Sequence, residues 1–136
     1  MLRKFLIAGN SDIALLFLRV IIGAFMIFGH GWSKLAAFGE KFHSFSDPIG
    51  AGNEISYLFT VGAEFFCSLL IIIGLFTRIA VIPLAITMLV AAFIILADDS
   101  WSDKELALLY LIPYITIFIA GPGKFSVDRI LFKIEN

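Results

Sequence analysis

Four long apolar runs dominate this sequence and restrict the folds that it can adopt. They cover residues 13–35, 57–76, 79–97 and 106–120, and the fourth predicted helix extends back to residue 104. A helix needs about 20 apolar residues to cross ~30 Å of hydrocarbon, and backbone polar groups in lipid must be satisfied within a helix or a closed barrel. The runs are too long for barrel strands. They predict an all-α bundle of four transmembrane helices, with one buried or re-entrant run as the main alternative.

The composition agrees with a single integral membrane domain over residues 1–136. Hydrophobic residues make up 60% of the chain and charged residues 15%, against about 45–50% and about 25% in globular proteins. A net charge of −1 leaves no basic surface for a phosphate backbone, so we expect no nucleic acid partner. With Cys67 as the only cysteine and two histidines, we expect no structural metal site. Because a single cysteine forms no redox pair within the chain, electron transfer would need a bound cofactor.

Two shorter segments have amphipathic patterns. After the first run, Phe38, Phe42 and Phe45 recur at helical spacing and predict a short interfacial helix. In the tail, 126–135, apolar residues recur at i, i+3, i+4 and i+7, which predicts an amphipathic helix. This tail helix either lies on the bilayer or the bundle, or it docks a partner.

The basic residues predict the orientation of the chain. Six lie near one set of run ends, namely Arg3, Lys4, Arg78, Lys124, Arg129 and Lys133, and three lie near the other, namely Lys34, Lys41 and Lys104. Cytoplasmic loops carry the excess of Lys and Arg. We therefore expect cytoplasmic N- and C-termini in a multi-pass protein, with Arg78 at the cytoplasmic boundary.

Arg19 and Glu64 are the charged residues predicted to lie deepest in the membrane. Such a charge costs about 2.5–3.5 kcal/mol on insertion scales, and it usually faces the bundle interior and pairs. At 1.5 Å per residue, Arg19 lies roughly 9 Å and Glu64 roughly 16 Å from the cytoplasmic boundary, an offset that two long side chains can bridge. We predict an Arg19–Glu64 ion pair, which either fixes helix register or lines a cavity for a ligand headgroup or protons.

Three further polar residues are expected toward the outer end of the bundle. His30 shares the inward face with Arg19 at 100° per residue, and Lys34 lies about 60° further round. Glu105 lies at similar depth if Lys104 and Glu105 begin the fourth helix near the headgroups. His30 is read as a packed core residue, as part of a ligand or proton site, or as a haem or metal ligand, although no second ligand of matched depth is evident.

Three segments, 18–35, 62–89 and 103–131, resemble the DoxX family in the order and spacing of their motifs. These motifs are R-x₃-G-x₆-H-G-x₂-K, E-x₉-GLFTR and GPGKFSVD. The resemblance implies a four-helix protein of the bacterial inner (plasma) membrane. It places the family pattern on Arg19, Gly23, His30, Gly31, Lys34, Glu64, Gly74, Thr77, Arg78, Glu105, Gly121, Gly123, Ser126 and Asp128.

DoxX-like proteins are related to a membrane subunit of thiosulfate:quinone oxidoreductase, and some are associated with redox or sulfur-stress systems. The resemblance therefore implies a redox-linked membrane subunit, without a catalytic residue that can be transferred or a particular reaction. The leading hypothesis is a quinone or lipid-like pocket near Arg19, His30, Glu64 and Glu105, in a protein surrounded by lipid and by other subunits or copies of itself. The main alternative is a non-catalytic scaffold or assembly subunit that docks soluble partners, and small-solute transport is a third hypothesis.

Overall fold

A computed structural model describes residues 9–133, and every regular element in that range is a helix. The helices are α1 Ser11–Ala36, α2 Phe38–Lys41, α3 Asn53–Ile73, α4 Thr77–Ile95, α5 Trp101–Ala120 and α6 Val127–Leu131. The predicted basic residues Arg3 and Lys4, and the end of the predicted tail helix after residue 133, lie outside the described residues.

Helices α1, α3 and α4 are long and apolar enough to cross a membrane, with 26, 21 and 19 residues. Their outward faces carry large exposed apolar side chains, such as Phe28, which is 80% exposed, and Phe93. Helix α5 has 20 residues, but its first turn is highly charged because it contains Asp103, Lys104 and Glu105. Length and composition therefore identify three of the four predicted spans as membrane-crossing helices.

The bundle has two ends that we name for later use. The terminal face is the end at which α1 begins and α5 ends, and the loop face is the opposite end, with residues 37–52 and 96–100. Helix α1 packs against α3, and α4 packs against α5. The buried apolar core between the helices includes Met26, Ile71, Val81, Leu84, Tyr114 and Ile117.

Three of the long helices contain a π-helical turn. These turns are Ile27–Gly31 in α1, Gly62–Cys67 in α3 and Ala91–Ile95 in α4. A π turn inserts an extra residue into a helix and changes the direction in which the following side chains point, and it often occurs at functional sites. Two of these turns carry His30 and Glu64.

Two glycines of α1 set its register against α3. A Cβ atom at Gly23 would lie 3.0 Å from the Ser68 carbonyl oxygen, and one at Gly31 would lie 2.7 Å from the Glu64 carbonyl oxygen. A real Cβ atom essentially never lies within 3.0 Å of another heavy atom, so only glycine permits the approach of the two backbones at Gly31, and the approach at Gly23 is at the limit for any other residue. The contact at Gly31 places Glu64 level with the π turn of α1.

The terminal face is closed by the segment that follows α5. Helix α3 ends earlier than the apolar run 57–76, because Gly74 and Phe76 adopt left-handed conformations with φ values of 76° and 48°. The buried Asp128 carboxylate accepts the N–H groups of Phe76, at 2.6 Å, and Thr77, at 2.9 Å, and the Asp128 N–H donates to the Gly74 carbonyl at 2.8 Å. This segment therefore caps the start of α4.

Helix α6 is shorter than the tail helix that the sequence predicts. It begins after Ser126, whose Oγ accepts the Arg129 N–H, and ends at Leu131. Ile130 is 76% exposed and Leu131 is also exposed. Ile130 and Leu131 thus face away from the bundle, whereas Asp128 is buried in it.

The phenylalanines after α1 pack around one tyrosine. The ring centroid of Tyr57 lies 5.5 Å from Phe38, 6.3 Å from Phe42 and 5.1 Å from Phe45. Tyr57 is fully buried, and its hydroxyl donates to the Lys34 carbonyl. Helix α2, the element predicted as an interfacial helix, is a single turn. Phe38 in this turn, together with Phe42 and Phe45 after it, covers the start of α3.

Asp47 organises the loop that leads into α3. Its Oδ1 accepts from the Ala51 N–H at 3.0 Å and the Ser56 hydroxyl at 2.8 Å, and its Oδ2 accepts from the Gly52 N–H at 2.8 Å. These hydrogen bonds, led by that from Gly52, hold the pKa of Asp47 below its ordinary value. The loop therefore depends on the ionised carboxylate.

We expect the protection of this loop to depend on pH. Because the pKa of Asp47 is depressed on folding, its contribution is complete above about pH 4, near the unfolded pKa, and is lost as the pH falls through the folded pKa. Asp47→Asn should therefore expose the Ala51 and Gly52 amides at neutral pH. Hydrogen exchange over 48–56, corrected for intrinsic rates, measures this. The exposed Glu40→Gln is the control, and equal protection in both variants would contradict the prediction.

Candidate functional site

An ion pair between α1 and α3 lies in the loop-face half of the bundle. The Lys34 ammonium lies 2.6 Å from Oε2 of Glu64. The Glu64 side chain is 5% exposed and that of Lys34 is 21% exposed. Because Gly31 brings the two helices together one turn before Lys34, the pair forms across the closest approach of α1 and α3. The formal charges of Lys34 and Glu64 cancel, but the pair still carries strong donors and acceptors.

The predicted Arg19–Glu64 ion pair is wrong. Glu64 lies level with Gly31, and Arg19 lies about three turns earlier on α1, or roughly 18 Å along the helix axis. The Arg19 Nη1 instead donates to the Ile71 carbonyl at 3.3 Å, and its Nη2 donates to the Phe125 carbonyl. Arg19 is fully buried. Both hydrogen-bond acceptors of its guanidinium are backbone carbonyls, one in α3 and one in the segment after α5.

Arg19 belongs to the closure of the terminal face rather than to the Lys34–Glu64 site. A Cβ atom at Gly74 would collide with Nη1 of Arg19 and would lie 2.6 Å from Cβ of Ser126. The carbonyl of the same glycine accepts the N–H of Asp128. Arg19 and Asp128 thus both contact the α3–α4 turn.

A cavity of about 540 Å³ opens beside the Lys34–Glu64 pair. Its polar wall includes His30, Lys34, Glu64 and Tyr110, and most of the remaining wall is apolar. The apolar part is contributed by Phe45, Pro48, Ile49, Ile55, Phe59, Ile86, Met88, Val90, Ala91, Ile95, Leu96, Leu106 and Ala107. A pocket of this size with few convergent polar groups is typical of small-molecule sites.

His30 and Tyr110 form the aromatic part of the polar wall. Their rings meet edge to face, with centroids 5.6 Å apart, and the Tyr110 ring stacks on Tyr114 at 6.3 Å. His30 is half-buried and borders the cavity. Within residues 9–133, no three His, Cys, Asp or Glu residues are grouped so that they could hold a metal ion.

Two other predicted site residues lie away from the cavity. Glu105 is exposed on the first turn of α5 and does not border the cavity, whereas Asp103 does. Arg78 is exposed on the terminal face, where its Nη2 donates to the Ile119 carbonyl at 3.2 Å. The structure thus brings together His30, Lys34 and Glu64 and separates them from Arg19, Glu105 and Arg78.

Several cavity residues were not expected from the sequence. Thr60 and Thr87 border the cavity, but their hydroxyls donate to carbonyls of their own helices, those of Ser56 and Pro83, each at 2.8 Å. Tyr110 lies one turn before Tyr114 in the fourth apolar run, a spacing that predicts either helix packing or an aromatic wall for a ligand, and a buried tyrosine hydroxyl usually needs a partner. That signal identifies a polar tip but not the wall that it joins.

Comparison with known proteins assigns the chain to a family. The sequence model of the DoxX family matches residues 14–97, which is more than half of the chain. The chain belongs to the DoxX family. The match covers α1, α3 and α4, and with them both partners of the Lys34–Glu64 pair.

Two curated relatives come from Haemophilus influenzae, and both are described as uncharacterized proteins. One is 28% identical over 133 residues, covering 92% of this chain and 87% of the relative, and the other is 32% identical over 126 residues, covering 88% and 91%. No solved structure matches the chain. The comparisons and the apolar helices together describe a DoxX family membrane protein.

Proposed function

We propose that this DoxX family protein binds a quinone, or a similar lipophilic ring, in the loop-face cavity and acts as a membrane subunit of a redox complex. The observation that carries the proposal is the Lys34–Glu64 pair in the wall of an otherwise apolar cavity of about 540 Å³. A quinone has an apolar body and two carbonyl acceptors. The three donors of an ammonium leave Lys34 able to donate to a carbonyl while it remains paired with Glu64.

The neutral sum of the two charges supports an uncharged ligand. An anion would be attracted by Lys34 but repelled by Glu64, which is almost fully buried. A neutral ring with hydrogen-bonding groups leaves the ion pair intact and buries apolar surface against the cavity wall, which is the main source of binding free energy. His30 and Tyr110 offer further polar contacts at the same wall.

The redox part of the proposal requires partners. Within residues 9–133 no group of three metal-ligating residues occurs, and Cys67 is the only cysteine of the chain. A quinone bound here would therefore exchange electrons with another subunit. The particular redox or sulfur-stress reaction would be decided by that subunit.

The proposed topology has four membrane-crossing helices with both termini in the cytoplasm. Helix α5 would complete the bundle, with Asp103, Lys104 and Glu105 among the headgroups, and α2 and α6 would lie at the membrane surfaces. Three cations of the terminal face, Arg78, Lys124 and Arg129, support a cytoplasmic terminal face by the positive-inside rule. We place the protein in the bacterial inner membrane as one integral domain.

A binding measurement tests the quinone site. Protein in lipid nanodiscs should bind a water-soluble quinone analogue saturably, and Glu64→Gln should weaken the binding about tenfold, because Lys34 loses the charged hydrogen bond that positions its ammonium and such a bond contributes about 1.5 kcal/mol or more. Glu105→Gln is the matched control, since Glu105 is exposed and outside the cavity. Absence of saturable binding by the wild-type protein, or an equal loss in both variants, would refute the proposal.

A second candidate function is a scaffold that docks soluble proteins on the terminal face. The exposed Ile130 and Leu131 on α6 favour it. Deleting the tail would be a poor test, because Asp128 caps α4. Replacing Ile130 and Leu131 by serine should instead release co-purifying subunits while the quinone analogue still binds, and retention of all subunits would contradict the scaffold.

A further inference from the structure

A second cavity, of about 410 Å³, lies on the terminal face between the start of α1 and the end of α5. Two basic side chains, Lys124 and Arg129, contribute to its wall, together with the acid Asp12. Leu15 and Ala120 provide apolar surface in the same wall. This cavity is separate from the Lys34–Glu64 site, which lies in the loop-face half of the bundle.

The charge of this second cavity is positive. Asp12 accepts the Lys124 N–H at 2.9 Å, and its other carboxylate oxygen lies 3.5 Å from the Lys124 ammonium. In the part of the chain that the structure describes, Arg129 forms no ion pair. One carboxylate thus faces two cations, and an anion that enters the cavity meets a net attraction.

The attraction comes from side chains rather than from the helix terminus. Two of the first N–H groups of α1, those of Asp12 and Ile13, already donate to Oδ1 of Asn10 at 3.1 and 3.2 Å. Arg129 is held by its backbone, since its N–H donates to the Ser126 hydroxyl. Its guanidinium is therefore available for a ligand without disturbing the start of α6.

The position of the cavity matches that of lipid headgroups. It lies where the membrane-crossing helix α1 begins, and phospholipid phosphates lie at the ends of the hydrocarbon spans. Pockets with clustered Lys and Arg near helix ends bind anionic headgroups. A zwitterionic headgroup would add a cation next to Lys124 and Arg129, whereas a headgroup with a lone phosphate charge would not.

We propose that this cavity binds the phosphate group of an anionic phospholipid, with Arg129 and Lys124 as its contacts. The phosphate oxygens would accept charge-assisted hydrogen bonds from both side chains. Leu15 and Ala120 would contact the apolar part of the lipid next to the headgroup. The bound lipid would join the start of α1 to the segment that closes the terminal face.

Titration with lipids tests this site. Detergent-purified protein is mixed with phosphatidylglycerol or phosphatidylcholine, and retained lipid is counted by native mass spectrometry. We expect phosphatidylglycerol to bind at least about tenfold more tightly than phosphatidylcholine, and Arg129→Gln to remove about tenfold of that affinity. Arg78→Gln is the control: it removes the same charge from the same face without bordering the cavity, and general surface attraction predicts a loss of at most about fivefold.

Two results would overturn the proposal. Equal losses in Arg129→Gln and Arg78→Gln would mean that the lipid responds only to the charge of the face. Inorganic phosphate is the second probe, because a free phosphate has the same chemistry. The contrary outcome is that millimolar inorganic phosphate stabilises the protein against heat while phosphatidylglycerol binds no more tightly than phosphatidylcholine. In that case the cavity would be a site for soluble phosphate instead of lipid.

Discussion

Arg19→Met should lower the free energy of unfolding by about 2–6 kcal/mol, because two carbonyls lose a charged donor at about 1–3 kcal/mol each. The guanidinium is fully buried and donates to the carbonyls of Ile71 and Phe125. Methionine fills similar space but leaves both carbonyls without this donor. It also leaves the Asp128 carboxylate buried beside the α3–α4 turn without a nearby cation.

The effect can be measured by unfolding the protein from detergent micelles with increasing SDS and following its circular dichroism. Arg78→Met is the matched control, because Arg78 is exposed and its guanidinium donates to one carbonyl, that of Ile119. We expect the control to cost less than about 1.5 kcal/mol. Similar losses in the two variants would contradict the role assigned to Arg19.

Arg19→Lys adds a finer test of the same closure. A single ammonium at the end of an alkyl chain lacks the planar fork that lets a guanidinium reach two separate carbonyls. We expect the lysine variant to be destabilised, but less than the methionine variant because it keeps the positive charge near Asp128. A lysine variant as stable as the wild-type protein would show that charge alone, without the forked geometry, holds the terminal face.

Gly31→Ala should both destabilise the protein and disrupt the candidate site. The new Cβ atom would lie 2.7 Å from the Glu64 carbonyl oxygen and 2.9 Å from its carbon. These are backbone atoms of α3, so the two helices must separate, at a cost of about 1–3 kcal/mol for overpacking. Because Lys34 follows one turn after Gly31, the separation would also lengthen the Lys34–Glu64 pair, and we expect quinone-analogue binding to be lost.

Gly29→Ala is the matched control for this change. Gly29 lies in the same π turn, and a Cβ atom there would meet only the Tyr110 hydroxyl, at 3.9 Å. Both substitutions change helix propensity alike, so the difference between them isolates the contact with α3. SDS unfolding and binding of the quinone analogue measure both effects. If Gly31→Ala retained wild-type binding, the close approach of α1 and α3 would not be what positions the pair.

The partner of Glu64 could not be predicted from the sequence. The sequence predicted that Glu64 faces the bundle interior and has an interhelical partner, but it placed Lys34 about 60° round from the inward face, where the side chain could reach outward. It assigned Arg19 as that partner because a depth estimate assumes two regular helices with independent positions. The actual offset depends on the close contacts of Gly23 and Gly31 with α3, which fix the axial register.

The hydrogen-bond partners of Arg19 could not be predicted from the sequence either, for a second reason. Backbone carbonyls occur at every residue, so no residue type identifies the carbonyl of Phe125 as an acceptor for a side chain 106 positions away. The same holds for Asp128, because nothing in the tail pattern identifies the N–H groups of Phe76 and Thr77 as its partners. Its carboxylate is buried because the N–H groups at the start of α4 need acceptors.

By itself, the sequence determined that the chain is a helical membrane protein of the DoxX family, because long apolar runs permit few other structures in lipid and the motifs keep their order and spacing. The tertiary structure alone decided which charges meet and where the cavity opens. Those features depend on helix register, on π turns and on backbone acceptors, and the physical forces that set them act between segments far apart in the chain.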